Sequence, residues 1–582
     1  MFRFHKNDMF GNEGFGKGKN DFRDNMFFRP NPPERIRNNA SGLLEDFGRL
    51  ISSNARMKPI FADCWLIGSA DELDVIAEYG LPGAKVLIGT SPDGETEYNL
   101  TPYEYVSPES VNALIEDVID NIRESYRKHG GRMDRQSVLN EARGLFMSSS
   151  ETVESIYGNN TLDLDVIMDA LCETVHRYTV GLGIFELLLS DPKLEDIYID
   201  APCDRNRIHV TMSGISGMNS NRKCRTNLMV DRKEVMNLIN VLKRNSGLPF
   251  CESNPVLESD MKGYGARATV VGYPMSPNGD SVSIRKHSDR LWTLSRLVAN
   301  GTLSPETAGM LSFLVDNRCT FLVCGARGAG KSSLLSALLF EFPTSQRILT
   351  IEDTMELPGE KMRRIGFKVQ TLLINDRLDG SDASRADDAL RVSLRMGESA
   401  IILGEVRGDE VRTLYQSMRT GRAGSSIMGT IHGDSAKSVF DRVVYDMGVE
   451  PEAFMATDVL VTLGTVRERR SGGQKRVLRE MVATGGQTGE FIDVSEIDSL
   501  FGTPVMNRIR MSCGMDDEKI REDITVRSEI RRMLAEKGKE NEMFLEPEWI
   551  CIANDHVSRN SDKTPEELIG SFRLKIDRTN GV

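Results

Sequence analysis

The sequence lacks any apolar run that approaches the roughly 20 residues a membrane-spanning helix needs. Its first twenty residues contain no apolar core of the kind that secretory signal peptides carry, so we expect no such signal. The nine cysteines are scattered and include no CxxC pair, which argues against a disulfide framework and against a cysteine-based zinc site. Together these absences favour a protein of the reducing cytoplasm.

An excess of positive charge is also missing. The chain has 73 Lys and Arg residues against 86 Asp and Glu residues, a formal net charge of −13. A general nucleic-acid binder needs a basic stripe against phosphates, so we expect no nucleic-acid partner. With 39% hydrophobic and 27% charged residues, the composition is that of a globular protein. Its 582 residues suggest roughly four domains.

Changes in composition and periodicity along the chain predict five segments. The first, rich in Asn, Gly, Phe and Arg, is expected to be a tail that stays solvated or docks on a partner or RNA. The second includes an amphipathic helix over Pro108–Gly130, with apolar residues repeating at three and four. The segments are a flexible tail (1–40), an N-terminal scaffold domain (41–180), an α+β lobe (181–295), an α/β domain (296–500) and a smaller mixed C-terminal appendix (501–582).

The fourth segment alternates short apolar strands with helical stretches, which is typical of a buried parallel sheet with crossover helices. Its first helix is expected to start with Ser304 as N-cap and Pro305 at the first helical position. The predicted strands are TFLVCGA, RILTIED, AIILGEV and SSIMGTIHG, followed by a hairpin over a Ser-Gly-Gly turn. The fold class is therefore α/β.

The segment GARGAGKS matches the phosphate-binding pattern GxxxxGK[ST] and lies between a predicted strand and a predicted helix. Such a loop curls backbone N–H groups around a phosphate, and the helix N-terminus adds partial positive charge. Lys331 is expected to reach the β and γ phosphates and Ser332 to hold Mg²⁺. A chance glycine-rich turn is the alternative. The predicted ATP-binding residues here are Gly325, Ala326, Arg327, Gly328, Ala329, Gly330, Lys331, Ser332 and Ser333.

Two acidic segments follow apolar strands, at the sheet edge where open α/β folds bind ligands. Glu352 and Asp353 end the strand RILTIED, and a carboxylate there can orient or deprotonate an attacking water. Asp353 could instead cap a helix. Glu405 follows the strand AIIL in the Walker B layout, whose acid holds Mg²⁺ directly or through water.

Two further candidates are basic. Arg391 and Arg395 lie four residues apart, so we expect them to share one helix face and to neutralise transition-state charge, unless both are surface arginines. His432 ends another apolar strand. A lone histidine is usually structural, but strand ends converging on one edge favour contact with the γ-phosphate.

These four segments, in this order, resemble the secretion ATPase superfamily, whose members drive type II and type IV secretion, type IV pili and the archaeal flagellum. The resemblance covers about residues 181–490, and the wording of the motifs is most like that of archaeal members. It implies a RecA-like P-loop NTPase motor with a mixed α+β N-terminal lobe, assembled as a homo-hexamer that uses ATP and Mg²⁺.

The resemblance also implies residue roles. Arg267 and Arg285 would reach the phosphates from the N-terminal lobe. Glu352 would activate the water, Glu405 would be the Walker B acid and His432 would sense the γ-phosphate, with Glu356 a further member of the Glu352 box. Whether Glu352 or Glu356 is the base stays open.

The sequence departs from the family at Arg422, where many relatives carry a second histidine, and at Gly397-Glu398, where many carry Pro-Asp. The first departure leaves the role of position 422 undefined.

The expected function is a cytoplasmic Mg²⁺-dependent ATPase, peripherally associated with the inner face of the cell membrane. It would act on a polytopic membrane platform protein to assemble a type IV pilus-like filament, with pilin-like subunits as indirect partners, or to drive type II-like secretion. One alternative is a type IV secretion-type ATPase exporting protein or DNA. Another is a nucleotide-gated scaffold without turnover.

Overall fold

A computed structural model describes most of the chain beyond residue 55. The described residues are 56–68, 73–128, 133–148, 164–212, 215, 222–261, 263–286, 290–353, 355–374, 382–397, 399–406, 408, 410–419, 426–467, 474–560 and 562–580. The predicted tail, Arg422 and the Ser-Gly-Gly turn lie outside these residues. The chain divides into two compact units, the first built mainly from residues up to Ile284 and the second mainly from Arg285 onward.

The first unit is organised around a nine-stranded sheet. Its order is β10-β11-β12-β6-β7-β8-β5-β4-β3, and β1-β2-β9 form a small second sheet. One sheet thus joins strands from the predicted scaffold segment and from the predicted α+β lobe. The strands are β1 (Arg56–Met57), β2 (Cys64–Ile67), β3 (Asp74–Leu81), β4 (Ala84–Thr90), β5 (Thr96–Pro102), β6 (Leu194–Ile199), β7 (His209–Met212), β8 (Arg222–Thr226), β9 (Leu228–Val230), β10 (Val256–Met261), β11 (Ala266–Val271) and β12 (Ser281–Lys286).

The helices of this unit follow the predicted periodicity. The expected amphipathic helix runs over Glu109–Lys128 and buries Val111, Ile115 and Ile122 on one face, as a 3.6-residue repeat requires. Gly247 ends the last helix in the left-handed region, with φ of 68°. The helices are α1 (Tyr103–Val106), α2 (Glu109–Lys128), α3 (Arg135–Ser148), α4 (Leu164–Thr179), α5 (Ile184–Ser190) and α6 (Arg232–Ser246).

The second unit contains the predicted α/β sheet. The strand order is β15-β14-β16-β17-β13-β18-β19-β20. The strands from β15 to β18 pair in parallel, and β18, β19 and β20 pair in antiparallel fashion. The strands are β13 (Phe321–Gly325), β14 (Arg347–Glu352), β15 (Lys368–Leu373), β16 (Ala400–Leu403), β17 (Ile427–Ile431), β18 (Val459–Arg467), β19 (Gln474–Thr484) and β20 (Phe491–Asp493).

Two hydrophobic clusters cover this sheet, so the parallel strands are buried as their apolar sequences predict. Ser304 caps the first long helix of the unit by accepting a hydrogen bond from the Thr307 N–H, as expected. The fold class is the predicted one: the second unit is an α/β RecA-like P-loop domain, and the first unit is mixed α+β.

The helices of the second unit, apart from a π-turn (Arg442–Asp446) and a 3₁₀ turn (Glu542–Leu545), carry the numbers α7 to α19. They are α7 (Leu294–Ala299), α8 (Pro305–Asp316), α9 (Lys331–Leu339), α10 (Gly359–Ile365), α11 (Asp382–Ser393), α12 (Glu410–Arg419), α13 (Ala436–Asp441), α14 (Pro451–Phe454), α15 (Ile497–Leu500), α16 (Pro504–Cys513), α17 (Asp517–Glu540), α18 (Pro547–Arg559) and α19 (Pro565–Asn580).

The C-terminal segment corrects one expectation. Its described residues beyond 503 form helices and no strand, so the expectation of a mixed appendix is wrong. Ile520, Ile524 and Phe572 belong to the same hydrophobic cluster as β13 and α9. The composition of this segment hides its helical packing, because the apolar side chains of α17 cover only one side of a highly charged helix.

Candidate nucleotide-binding site

The phosphate-binding motif lies in the strand–loop–helix setting that its mechanism requires. Strand β13 is buried throughout and ends at Gly325, and α9 begins at Lys331. Gly328 and Gly330 have φ of 78° and 97°, which side-chain-bearing residues rarely adopt. These two glycines allow the tight loop at the N-terminus of α9, where backbone N–H groups are available to an anion.

The ammonium group of Lys331 lies within the loop. Its Nζ donates to the carbonyl oxygens of Gly325 and Ala326 at 3.1 and 3.2 Å. It also lies 3.3 Å from Nδ1 of His432. Partial burial lowers the pKa of Lys331, opposed by the nearby carboxylates of Glu405 and Glu356. The lysine is therefore surrounded by the predicted site residues.

The ends of β13, β16 and β17 bring together side chains that are far apart in sequence. Nε2 of His432 lies 3.1 Å from Oε1 of Glu405, so Glu405, His432 and Lys331 form a continuous polar chain. Arg442 donates to the backbone carbonyl of His432 at 3.0 Å. His432 is thus placed by contacts at its backbone and at both ring nitrogens.

The two glutamates of the box after β14 occupy different environments. Glu352 is 2% exposed, and its Oε2 accepts hydrogen bonds from the backbone N–H groups of Glu356 and Leu357 at 2.9 and 2.8 Å. Burial raises the pKa of Glu352 to about 7. Glu356 is exposed, and its Oε2 accepts a hydrogen bond of 2.6 Å from the Ser332 hydroxyl.

The alternative role for Asp353 is wrong. The next described helix, α10, begins at Gly359 with Pro358 as its N-cap, so Asp353 caps no helix there.

The predicted arginines lie on β11, on β12, on α11 and in the turn after α11. Helix α11 ends at Ser393, so the expectation that Arg391 and Arg395 share a helix face is wrong: Arg395 lies in the turn that follows. Arg391 is exposed and pairs with Asp387 at 2.8 Å. Arg267 lies on β11 and is partly buried, and Arg285 lies on β12 and is exposed. Their reach to the phosphates stays a prediction.

Sequence reasoning missed three polar residues around the loop. Nε of Arg476, on β19, lies 3.3 Å from the Gly328 carbonyl oxygen. Glu480, on the same strand, accepts from the Ala436 N–H at 2.7 Å and from the Thr462 hydroxyl at 3.1 Å. Arg442 is the third. No motif marks these residues. Arg476 and Glu480 lie on β19, which pairs with β18, and Arg442 lies in the π-turn that follows α13.

The donor set suits Mg²⁺ held together with phosphate oxygens. Among the described residues, no group of three or more His, Cys, Asp or Glu side chains could hold a metal ion alone. Mg²⁺ is usually bound through one or two protein groups plus phosphates and water. Ser332 and Glu405 are the predicted ligands, and Glu356 lies beside Ser332. These residues fit a nucleotide-bound Mg²⁺ and do not suggest a separate metal centre.

Fold and loop together define the class of P-loop nucleotide-binding proteins with a RecA-like sheet. Within that class, residues 257–485 match the family model described as Type II/IV secretion system protein. The predicted resemblance to the secretion ATPase superfamily is thereby confirmed.

Individual relatives match over parts of the chain. An uncharacterized protein of Methanocaldococcus jannaschii is 28% identical over 334 residues, which cover 56% of each chain. PtlH, a type IV secretion system protein of Bordetella pertussis, is 28% identical over 38% of this chain and 73% of PtlH. The solved structure of the Legionella pneumophila ATPase DotB is 18% identical and covers 59% of this chain and 88% of its own, with a TM-score of 0.38. The chain thus spans little more than half of the M. jannaschii relative.

Proposed function

We propose that this protein hydrolyses ATP with Mg²⁺ and uses the energy to drive a secretion or pilus machinery. The observation that carries the proposal is the polar chain from Lys331 through His432 to Glu405. It lies at the loop whose Ser332 hydroxyl donates a hydrogen bond to the Glu356 carboxylate. A chance glycine-rich turn would not have three other strand ends supplying acids and a histidine at the same edge.

The residues divide the work as follows. The loop N–H groups and Lys331 bind and orient the phosphates, and Ser332 with Glu405 holds Mg²⁺, which when bound neutralises developing charge on the phosphates. His432, already 3.3 Å from the lysine, is placed to respond to the γ-phosphate. A carboxylate beside Ser332 orients the attacking water.

Glu405→Gln tests the proposed enzyme. The neutral amide weakens Mg²⁺ binding and alters the contact with His432, so we expect steady-state phosphate release to fall by about 100-fold or more. Phosphate release by the purified full chain is the measurement. The matched control is Glu452→Gln, at an exposed position of α14, and should leave the rate unchanged. Equal rates for wild type and Glu405→Gln mean that the site is assigned wrongly, and no release by either favours the scaffold without turnover.

The assembly and partners are part of the same proposal. In a homo-hexamer, Arg267 and Arg285 would lie near the nucleotide. Arg391 or Arg395 would approach the nucleotide of a neighbouring subunit. Among the described residues no helix is long and apolar enough to cross a membrane. We propose a polytopic platform protein as the membrane partner, since the net charge of −13 complements the basic cytoplasmic loops of such proteins.

A second candidate is export through a type IV secretion channel, and the type IV secretion name of PtlH favours it. Capture of the full chain from solubilised membranes separates the two. Pilin-like subunits and a platform protein support filament assembly or type II-like secretion, whereas effector protein or DNA supports export.

A further inference from the structure

The chain between β17 and α13, residues 432–435, forms a turn that sets where the His432 ring lies. We call it the histidine turn. The ring lies between Nζ of Lys331, at 3.3 Å from its Nδ1, and Oε1 of Glu405, at 3.1 Å from its Nε2. Both partners belong to other parts of the chain, so a small shift of the turn would separate the ring from them.

The histidine turn is packed closely against the helix that follows it. A Cβ on Gly433 would collide with a methyl group of the buried Val439 on α13. The hydroxyl oxygen of Ser438 accepts the backbone N–H groups of Asp434 and Ser435, at 3.2 Å each. The turn and the start of α13 are therefore one piece, and a group that holds the start of α13 also holds His432.

Glu480 on β19 is such a group. Its Oε2 accepts the backbone N–H of Ala436, the first residue of α13, at 2.7 Å and the Thr462 hydroxyl at 3.1 Å. Thr462 is fully buried and lies directly opposite Glu480 in the pairing of β18 with β19, so its hydroxyl fixes the direction of the carboxylate. A carboxylate that accepts a backbone N–H at a helix N-terminus forms one of the stronger kinds of hydrogen bond.

Arg442 holds the other end of the histidine turn, since it donates to the His432 carbonyl oxygen at 3.0 Å. Among the described contacts, neither Glu480 nor Arg442 touches the His432 ring. The two residues therefore fix the backbone on either side of the ring and leave its nitrogen atoms to the site.

We propose that Glu480 is a positioning residue of the nucleotide site. Its carboxylate holds the histidine turn from β19, so that the His432 ring stays between Lys331 and Glu405. The inference rests on the proposed ATPase function and adds to it a residue that acts through His432 without touching the nucleotide.

The test compares Glu480→Ala with Glu480→Gln in the purified full chain. Alanine removes the anchor, so the turnover number for phosphate release should fall by about 30-fold, because a misplaced side chain at the reacting phosphates is costly. Glutamine can still accept the Ala436 N–H without the charge, so its loss should be only about threefold. The KM for ATP should stay within about twofold of wild type in both variants, because the phosphate-binding loop and Lys331 are unchanged.

Glu490→Ala is the matched control. Glu490 lies in the turn between β19 and β20, and its Oε2 also accepts a backbone N–H, that of Gln487, at 2.9 Å. The variant removes the same kind of contact without touching the start of α13, so it should change neither constant. Thermal unfolding of every variant checks that the chain is folded.

A background without the histidine separates positioning from general stability. In His432→Ala, adding Glu480→Ala should lower the turnover number by less than about twofold, because its effect passes through the missing ring. Single-turnover phosphate release with the protein in excess measures these slow rates. Should Glu480→Ala not fold, the same comparison uses Glu480→Gln, whose threefold loss should disappear in the His432→Ala background.

Three results would overturn the assignment. One is a loss by the same factor with and without His432, another is an unchanged turnover number in both Glu480 variants, and the third is a raised KM with turnover retained. A wild-type chain that releases no phosphate contradicts the proposed function itself, and that failure is seen before any variant is compared.

Discussion

Burial sets the chemistry of the Glu352 carboxyl group. Removing the charged carboxylate from water costs free energy. The hydrogen bonds that it accepts from two backbone N–H groups offset only part of that free energy. Its pKa therefore rises to about 7. A raised pKa means that the folded protein holds this proton more tightly than the unfolded chain does. The stability it contributes is complete below about pH 4.5 and is lost as the pH rises through about 7.

Glu352→Gln should remove this dependence on pH. Because glutamine resembles the protonated side chain, we expect the variant and the wild type to be similarly stable at pH 5. The variant should gain up to about 3 kcal/mol relative to wild type by pH 8. Urea unfolding at pH 5, 6, 7 and 8 measures this difference. A constant difference across the series would contradict the assignment of a raised pKa to this residue.

At the scale of the element, strand β19 links the hairpin to the phosphate-binding loop. Arg476 donates to the Gly328 carbonyl oxygen, and its Cδ lies 3.3 Å from where a Cβ on Gly330 would be. Three residues along the same strand, Arg479 is exposed and donates to the Thr465 carbonyl oxygen within the hairpin instead. One strand therefore offers both a loop-contacting arginine and a matched control.

Arg476→Gln should raise the KM for ATP by about fivefold, the equivalent of about 1 kcal/mol for one lost hydrogen bond. The turnover number should change by less than about twofold, because the lost contact orients the loop without touching the reacting atoms. Steady-state phosphate release over a range of ATP concentrations measures both constants. Arg479→Gln should leave both unchanged, and an equal effect of the two substitutions would mean that the contact with the loop does not matter.

At the scale of the whole second unit, the C-terminal helices pack into the same hydrophobic core as the strand and helix that flank the phosphate-binding loop. Arg531 on α17 and Glu341 just after α9 form an ion pair whose side chains are both 0% exposed. Ser312 and Asn554 each hydrogen-bond to Glu341, at 2.8 and 3.2 Å. The network therefore ties helices from both ends of the unit to the helix that follows the phosphate-binding loop.

Removing one member of this pair should be costly. Arg531→Met leaves Glu341 buried without its partner, so we expect a loss of about 3 kcal/mol in unfolding free energy. The double variant Arg531→Met, Glu341→Met should recover more than half of that loss, because neither charge is then buried alone. Chemical denaturation of the full chain, followed at the transition of the second unit, measures both.

The control for this prediction is Arg559→Met, which breaks an exposed pair with Asp555 on α18. It should cost less than about 0.5 kcal/mol, since solvent screens such pairs. A similar loss for Arg531→Met and Arg559→Met would contradict a structural role for the buried pair.

Local patterns alone determined much of this protein. The glycine spacing of the loop, the N-cap Ser304, the amphipathic α2 and the apolar parallel strands depend on neighbours in sequence, so composition and period predict them. The expectation that Arg391 and Arg395 share a helix face is wrong, because a four-residue spacing says nothing about where a helix stops.

Only the tertiary structure decided how the site is completed. Sequence order does not predict that the Glu352 side chain is buried while the Glu356 side chain contacts Ser332. Burial and side-chain direction follow from packing between strands. Arg476 reaches the loop through an antiparallel strand pairing, although it is nearly 150 residues away in sequence from Gly328. The charged α17 is part of the core because its apolar side chains pack against α8, about 200 residues earlier in the sequence. Sequence therefore predicts the loop that can bind phosphate, and three-dimensional packing selects the side chains that surround it.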